Sequence, residues 1–190
     1  MKPHWPIVLH GDEIVLRPLR YRDRARWSAV REENKEWLSP WEATLPTLSD
    51  REDEILLPSF LEMVRALNRE GRSGRAFSLM IWRGSNLIGQ ITMGGVIYGA
   101  LRGAHIGYWI DRAHAGRGYT THAVELMTSF GFHELGLHRI EINIRPENAG
   151  SIRVAEKAGY LFEGKRPRYL HIDGQWRDHL CYVKENPLVI

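Results

Sequence analysis

The sequence predicts a mixed α/β (α+β) fold in a single domain that spans residues 1–190. The chain has 190 residues, of which 43% are hydrophobic, and this is enough material for one core. Segments with strand-like apolar patterns alternate along the chain with segments in which the apolar spacing is helical. Their order is β-α-α-β-β-β-α-β-α-β-β, and its adjacent strand pairs predict a sheet that is largely antiparallel in the first half.

The chain is predicted to open with one strand and one helix. The strand covers residues 13–19 and ends near a proline. Residues 21–38 follow as a helix, in which Trp27, Val30 and Trp37 are candidate buried positions.

A loop and a second helix come next. Residues 39–50 carry two prolines, which favours a loop. Ser49 or Asp50 is predicted to cap the second helix, because a side-chain oxygen at that position accepts from a free helical N–H. Pro58 marks either a bend or a late start of this helix, and the glycine-containing residues 69–75 end it.

The rest of the chain is predicted to alternate strands with two more helices. The strands are expected at residues 76–82, 87–99, 103–111, 138–144, 160–172 and 176–184, and the first two form a hairpin. One helix begins after Gly118 and places Val124, Met127 and Phe130 on one face, and the other ends at Gly159 in a left-handed cap.

Charge and cysteine content argue against several classes of protein. The formal charge is +3, and the richest basic run, residues 17–27, is interrupted by an aspartate, so we interpret it as a solvated helix face rather than a nucleic-acid site. Cys181 is the single cysteine; it excludes an intramolecular disulfide and is interpreted as a buried strand residue. We find no signal peptide or apolar run of transmembrane length, and we expect a cytoplasmic protein without a membrane partner.

Two glycines one residue apart stand directly before the helix that begins after Gly118. Gly116 and Gly118 let backbone amides approach a ligand closely, and a helix N-terminus favours an anion, most often a phosphate. The pattern matches neither a Walker A loop nor a dinucleotide fingerprint. The loop alone supports a phosphate site and a simple turn about equally.

The surroundings of this loop resemble the GCN5-related N-acetyltransferase (GNAT) superfamily. The segment GRGYTTHAVELM follows the strand HIGYWID and precedes LHRIEINIRPENAGSIRVAEKAGYLFEG. Within the superfamily, the chain resembles the RimJ/RimL type of ribosomal-protein-alanine N-acetyltransferases. The resemblance covers nearly the whole chain, from IVLRPLRYRD through WLSPWE to GYLFEG.

This resemblance implies a splayed, mostly antiparallel mixed sheet, flanked by helices, that holds acetyl-CoA. The loop amides of residues 116–121 would bind the pyrophosphate. The backbone of the preceding strand would pair with the pantetheine arm, and Asn148 would hydrogen-bond to the same arm. The implied cofactor-binding residues are Trp109, Ile110, Asp111, Gly116, Arg117, Gly118, Tyr119, Thr120, Thr121 and Asn148. The loop departs from the superfamily pattern at Ala115 and Thr120, where Gln or Arg and Gly or Ala are usual.

The residues for acid–base chemistry are less well defined by the resemblance. Some relatives use a strand glutamate as the base, and that place is Asn143 here, so Glu141 on the same face is the nearest substitute. An ion pair is an equal alternative for Glu141. Glu163 is a further candidate base, but a surface carboxylate is the favoured interpretation there.

The acid is assigned to a serine. The tyrosine that relatives use as the acid falls at Ala155. The RimL-type pattern offers the serine of N-x-x-S instead, so the resemblance implies Ser151 as the partner of the departing thiolate, and helix capping together with Asn148 is its alternative interpretation. The RimL-type glutamate, which bears on the base, falls at Leu170.

The implied function is acetyl-CoA-dependent transfer of an acetyl group to the N-terminal α-amine of a protein, by direct attack in a ternary complex. The favoured acceptor is a ribosomal protein that begins with Ala or Ser. Trp41 and Glu42, in a proline-bounded loop, are the candidate acceptor-binding residues.

Two alternatives stay open. One is acetylation of a small amine such as an antibiotic, a polyamine or an amino acid, and the other is a non-catalytic acyl-CoA-binding domain. We expect no metal, because the histidines show no paired ligand spacing, and we expect a monomer or a homodimer.

Overall fold

The computed structural model describes residues 4–46 and 58–189. Its strands are β1 (Leu9–His10), β2 (Val15–Arg17), β3 (Phe77–Arg83), β4 (Asn86–Ile97), β5 (Gly103–Ile110), β6 (Arg139–Ile144), β7 (Leu161–Ile172) and β8 (Gln175–Glu185). Its α-helices are α1 (Arg24–Glu33), α2 (Lys35–Leu38), α3 (Phe60–Ser73), α4 (Tyr119–His133) and α5 (Ala149–Lys157). Short 3₁₀ turns cover Tyr21–Asp23, Ser39–Trp41 and Arg112–His114. The predicted caps Ser49 and Asp50 lie outside the described residues.

The eight strands form one sheet in the order β1-β2-β3-β4-β5-β6-β8-β7. Every neighbouring pair is antiparallel except β5 and β6, which are parallel. The mixed α/β fold class and the largely antiparallel first half are therefore confirmed.

The parallel pair separates partway along its length. Pairing runs from Gly103 with Arg139 to His105 with Glu141 and stops there, although β5 continues to Ile110. Beyond this point β6 pairs only with β8 on its other side. A gap therefore opens between β5 and β6 in the middle of the sheet.

Helices cover both faces of the sheet. On one face, α4 buries Val124, Met127 and Phe130, the predicted apolar stripe, against the strands. On the other face, α1 and α3 bury Val30 and Val64 in a smaller cluster with strand residues. The predicted core positions of α4 and the buried Val30 are confirmed.

Three details differ from the expected elements. A strand at Leu9–His10 was not predicted. The helix predicted over residues 21–38 is interrupted at Asn34, whose side chain donates to the carbonyl of Val30 at 2.9 Å and thereby competes with the backbone. Trp37 was expected to be buried and is 39% exposed, whereas the next residue of α2, Leu38, is buried.

The other predicted boundaries hold within a few residues. Helix α3 begins late, after Pro58, because Ser59 and Glu62 form a capping box at its start. Gly159 ends the second of the two later helices with a φ of 77°.

Shortening Met127 tests how much the main core depends on α4. Met127 is fully buried, so Met127→Ala is expected to lower the free energy of unfolding by about 2–5 kcal/mol through lost contacts and a cavity. Urea denaturation measures the change. Leu101→Ala is the control, because this side chain is 51% exposed and its loss is expected to change stability by at most about 0.5 kcal/mol. Equal effects of the two substitutions would contradict the prediction.

Candidate active site

The loop between β5 and α4 presents free backbone amides. Gly116 and Gly118 have φ angles of 74° and 87°, a region that favours glycine, and a Cβ at either position would face open space. The first helical hydrogen bond of α4 is donated by His122 to the carbonyl of Gly118 at 3.0 Å. The N–H groups of residues 119–121 therefore lie outside the helical ladder, at the positive end of the helix dipole. This arrangement suits an anion.

A buried asparagine fixes the start of this loop. Asn34 donates to the carboxylate of Asp111 at 2.9 Å and accepts from the N–H of Arg112 at 2.8 Å. Asp111 also contacts His114 at 2.6 Å. Burial tends to raise the pKa of Asp111, but the hydrogen bonds from His114 and Asn34 outweigh it and lower that pKa. The charged carboxylate thus ties the loop to the end of α1.

A cavity of about 620 Å³ extends from this loop to the N-terminus of α5. It is lined by most of the residues that the sequence assigned to the cofactor, together with the candidate acid. These residues are Trp109, Ile110, Gly116, Gly118, Tyr119, Thr120, Thr121, Asn148 and Ser151. The fold therefore brings together two segments that lie about thirty residues apart in the sequence.

Two predicted cofactor residues do not line this cavity. The N–H of Asp111 donates to the carbonyl of Ile88 at 2.7 Å, and its side chain holds the loop as described. Arg117 is exposed between the two glycines. Trp37, which was expected in the core, lines the cavity instead and donates from its indole to the carbonyl of Ile110 at 3.0 Å.

Asn148 and Ser151 meet at the start of α5. The Asn148 side chain caps this helix by accepting from the N–H of Ser151 at 3.0 Å, as the capping interpretation predicted. The Ser151 carbonyl accepts from the hydroxyl of Tyr108 at 3.2 Å, and burial raises the pKa of this tyrosine. Sequence reasoning missed Tyr108, although it lies next to two predicted cofactor residues in the strand.

A second, smaller cavity of about 250 Å³ adjoins the first. It shares Leu38, Trp41, Tyr108 and Trp109 with the larger cavity. Gly107 also lines it, and a Cβ on this glycine would meet nothing within 4 Å. The two cavities therefore meet along β5, where the strand has no partner on the side of β6.

Both predicted acceptor residues lie at the smaller cavity. Glu42 forms an ion pair with Arg31, and the Arg31 guanidinium lies 5.3 Å from the ring centre of Trp109. The guanidinium of Arg145 lies over the indole ring of Trp41, 5.2 Å from the ring centre. Trp41 and Glu42 are thus held in place by arginines from α1 and from the end of β6.

The floor of the smaller cavity is a hydrogen-bonded chain that the sequence did not indicate. Gln90 accepts from the indole of Trp109 at 3.3 Å and donates to Ser78 at 2.9 Å. The hydroxyls of Ser78 and Thr92 are also 2.9 Å apart. Only the pairing of β3, β4 and β5 reveals that these polar side chains share one face.

The candidate base, Glu141, is bound in ion pairs. Its carboxylate is 3.0 Å from Arg139 and 2.7 Å from Arg166, and it lines neither cavity. Burial tends to raise the pKa of Glu141, but the hydrogen bonds from Arg166 and Arg139 prevail and lower it. These contacts favour the ion-pair interpretation, and a role as base stays a prediction. Glu163 is a surface carboxylate bound by Arg139.

Other candidate groups belong to the scaffold. Cys181 is buried in β8, and burial raises the pKa of its thiol to about 11, so it is protonated at neutral pH.

Among residues 4–46 and 58–189, the structure shows no cluster of side chains that could hold a metal ion. No α-helix in that part of the chain is both long and apolar enough to cross a membrane.

Fold and site together define a class of enzyme. The parted strands, the glycine loop at a helix N-terminus and the double cavity occur in a chain whose residues 13–161 match the acetyltransferase (GNAT) domain family. The protein belongs to this family and is an N-acetyltransferase.

Individual relatives agree with this assignment. The probable N-acetyltransferase YjcK of Bacillus subtilis is 33% identical over 95% of this chain and 98% of its own length. The [ribosomal protein uS5]-alanine N-acetyltransferase of Escherichia coli is 29% identical over 95% of this chain and 92% of its own. The structure of Mycobacterium smegmatis RimJ in complex with CoA-disulfide superposes with a TM-score of 0.87 at 36% identity, covering 97% of this chain and 90% of that one.

Removing the Asn34 side chain tests whether it holds the glycine loop. Asn34→Ala leaves the N–H of Arg112 and the carboxylate of Asp111 without this partner, which is expected to cost about 1–3 kcal/mol of stability. Hydrogen exchange of the amides of residues 112–114 is expected to accelerate at the same time. Asn86→Ala, in an exposed hairpin turn, is the control. Unchanged exchange in the Asn34 variant would contradict the assigned role.

The pH dependence of stability tests the ion pairs of Glu141. Because its pKa is lowered in the folded state, Glu141 contributes stability above its unfolded pKa of about 4.3, and this contribution is lost as the pH falls through the folded value. Glu141→Gln is therefore expected to be less stable than the parent at pH 7, with the difference shrinking in acid. Denaturant titrations at several pH values measure this. Glu125→Gln, which changes an exposed glutamate, is the control. The prediction would be contradicted if the stability difference between Glu141→Gln and the parent stayed constant with pH, or if Glu125→Gln showed the same difference.

Proposed function

We propose that this enzyme transfers an acetyl group from acetyl-CoA to the N-terminal α-amine of a protein, with residues 1–190 as one catalytic domain. The observation that carries the proposal is the meeting of two cavities at Tyr108 and Trp109. One cavity ends at an anion-binding helix N-terminus, and the other is walled by the candidate acceptor residues. Two substrates, one in each cavity, can therefore meet at these residues.

The larger cavity fits acetyl-CoA. The free amides of residues 119–121 and the open space at Gly116 and Gly118 suit the pyrophosphate. The edge of β5 at residues 108–110 has no strand partner on the side of the gap, so its backbone groups other than the Ile110 carbonyl, which accepts from Trp37, can pair with the pantetheine arm. The complex of M. smegmatis RimJ with CoA-disulfide supports a CoA compound as the ligand.

The reaction requires little from the protein beyond positioning. An α-amine has a pKa of about 7.7–8.0, so roughly a tenth to a sixth of it is neutral at pH 7 and can attack the thioester carbonyl directly. The C–S bond then breaks, and the leaving thiolate needs a proton. We place the Ser151 hydroxyl at this step, since Ser151 lines the larger cavity at the start of α5. It relays the proton that the attacking nitrogen loses.

We assign the acceptor to the smaller cavity. Trp41 forms an aromatic wall of this cavity. Glu42 contributes a carboxylate that is ion-paired with Arg31. The name of the Escherichia coli relative, which acts on an alanine of ribosomal protein uS5, supports a ribosomal protein as the acceptor, and our proposal covers an N-terminal Ala or Ser. The volume of about 250 Å³ also suits a small amine, which is the second candidate acceptor.

Release of free thiol from acetyl-CoA tests the proposed function. The panel contains short peptides that begin with Ala, Ser or Met, the same peptides with a blocked N-terminus, and small amines. Turnover on free Ala- or Ser-starting peptides, lost on blocking, is expected. Turnover on small amines alone would overturn the protein acceptor and leave the acetyl-CoA chemistry intact.

A charge placed in the glycine loop tests the pyrophosphate site. Gly118→Glu adds a negative charge at a position of positive φ, so the dissociation constant for acetyl-CoA is expected to rise at least about tenfold, which corresponds to about 1.4 kcal/mol. Calorimetric titration measures the binding.

The matched control is Gly84→Glu. Gly84 also has a positive φ, 58°, and open space at its Cβ, but it lies in the β3–β4 turn. This substitution carries the same backbone strain and charge without touching the loop. If both variants bound acetyl-CoA as the parent does, or lost affinity equally, the pyrophosphate assignment would be wrong.

A further inference from the structure

Arg153 and Lys157 are two cations of the larger cavity that the proposed reaction does not yet use. Both belong to α5 and are four residues apart, so they lie on one face of this helix, about one turn from each other. Gly150 and Val154, on the same face, also line the cavity. Because Arg153 and Lys157 are exposed as well as cavity-lining, they lie where the cavity opens to solvent.

The protein itself does not use the charges of these two side chains. Within residues 4–46 and 58–189, neither one forms an ion pair with a carboxylate. Lys157 is not needed at the C-terminus of α5 either. There Lys184 donates to the carbonyl of Ala158 at 2.7 Å, and Gly159 ends the helix in the left-handed conformation. Both cations are therefore available to a ligand.

The other groups that carry charge along this cavity already have partners in the protein. His114 lines the cavity and contacts the carboxylate of Asp111 at 2.6 Å. Glu147 also lines it, and its carboxylate is 3.2 Å from the guanidinium of Arg145. The charge that the cavity offers to a ligand therefore comes from the two cations of α5 and from the free amides of α4, and it is positive in both places.

These two places differ in the chemistry that they offer to an anion. Helices α4 and α5 contact each other, and one cavity is lined by the N-terminus of the first and by a face of the second. Backbone amides at a helix N-terminus bind oxygen atoms at short range without a formal charge. A guanidinium binds a phosphate in a bidentate manner, and an ammonium group adds a full charge beside it. The pair on α5 therefore suits a phosphomonoester, which carries a charge of about −1.5 to −2 at pH 7.

We propose that Arg153 and Lys157 bind the phosphomonoester at the 3′ position of the CoA ribose. This inference rests on the proposed function and names the part of acetyl-CoA that α5 recognises. CoA carries phosphate in two places, the pyrophosphate and this 3′-phosphate, and the cavity offers one anion site for each. The enzyme therefore selects acetyl-CoA over the same thioester without the 3′-phosphate.

Calorimetric titration with acetyl-CoA and with 3′-dephospho-acetyl-CoA tests this. The parent is expected to bind acetyl-CoA about tenfold more tightly, because two cations contact the additional phosphate. In the double variant Arg153→Gln/Lys157→Gln, the affinity for acetyl-CoA is expected to fall to that for the dephospho compound, which itself changes by at most about twofold. Raising the salt concentration from about 0.05 M to about 0.5 M is expected to reduce the preference of the parent, since salt screens exposed charges.

The matched control is the double variant Arg65→Gln/Arg69→Gln. These arginines are also exposed and four residues apart on a helix, α3, and they line neither cavity. The control removes the same two positive charges and is expected to leave both dissociation constants unchanged. Equal binding of the two ligands by the parent would overturn the proposal. So would an equal loss of affinity for both ligands in Arg153→Gln/Lys157→Gln, or the same selective loss in the control.

This test can fail separately from the proposed function, because the titration contains no acceptor. If the parent bound neither thioester, the acetyl-CoA site and the present inference would both be wrong. If the parent bound both thioesters equally and Gly118→Glu weakened both, the pyrophosphate site would stand and only the present inference would fail. Turnover on small amines alone would overturn the protein acceptor and leave the role of Arg153 and Lys157 to be decided by the same titration.

Discussion

The separation of β5 and β6 is the constraint on which the rest of the structure depends. Parallel pairing ends at His105, and from there to Ile110 the only strand that pairs with β5 is β4, while the Trp37 indole donates to the Ile110 carbonyl. Buried backbone groups must find hydrogen-bond partners, so an unpaired strand edge inside a sheet is stable only where it faces a ligand or solvent. The gap therefore defines the cavity, and the surrounding helices define what enters it.

Electrostatics divides the site into two different halves. On the cofactor side, the free amides of α4 offer positive partial charge, Arg153 and Lys157 line the same cavity, and Asp111 is used to hold the loop. On the acceptor side, arginines and carboxylates cancel one another in pairs such as Arg31 with Glu42. An anion is therefore attracted to one half, and the other half presents little net charge to a peptide or an amine.

The sequence predicted the cofactor half more completely than the acceptor half. In the proposed site, backbone amides bind the anion, and the glycines and the helix start that expose them are local features of residues 116–121. The acceptor half is built from side chains of distant segments. Gln90 and Thr92 of the smaller cavity carry no sequence signal, because their shared face depends on strand order. Trp37 was expected in the core and lines the larger cavity instead.

Sequence by itself determined the fold class, the element order, the stripe of α4 and the position of the glycine loop, because apolar periodicity, capping and positive-φ glycines act over a few neighbouring residues. Tertiary structure decided which polar groups are free to react. Glu141 stands in the sequence as an available carboxylate, and only the approach of Arg166 from β7 places it in a second ion pair. The free energy of protonation depends on burial and on charges brought from other strands, and no local pattern records them.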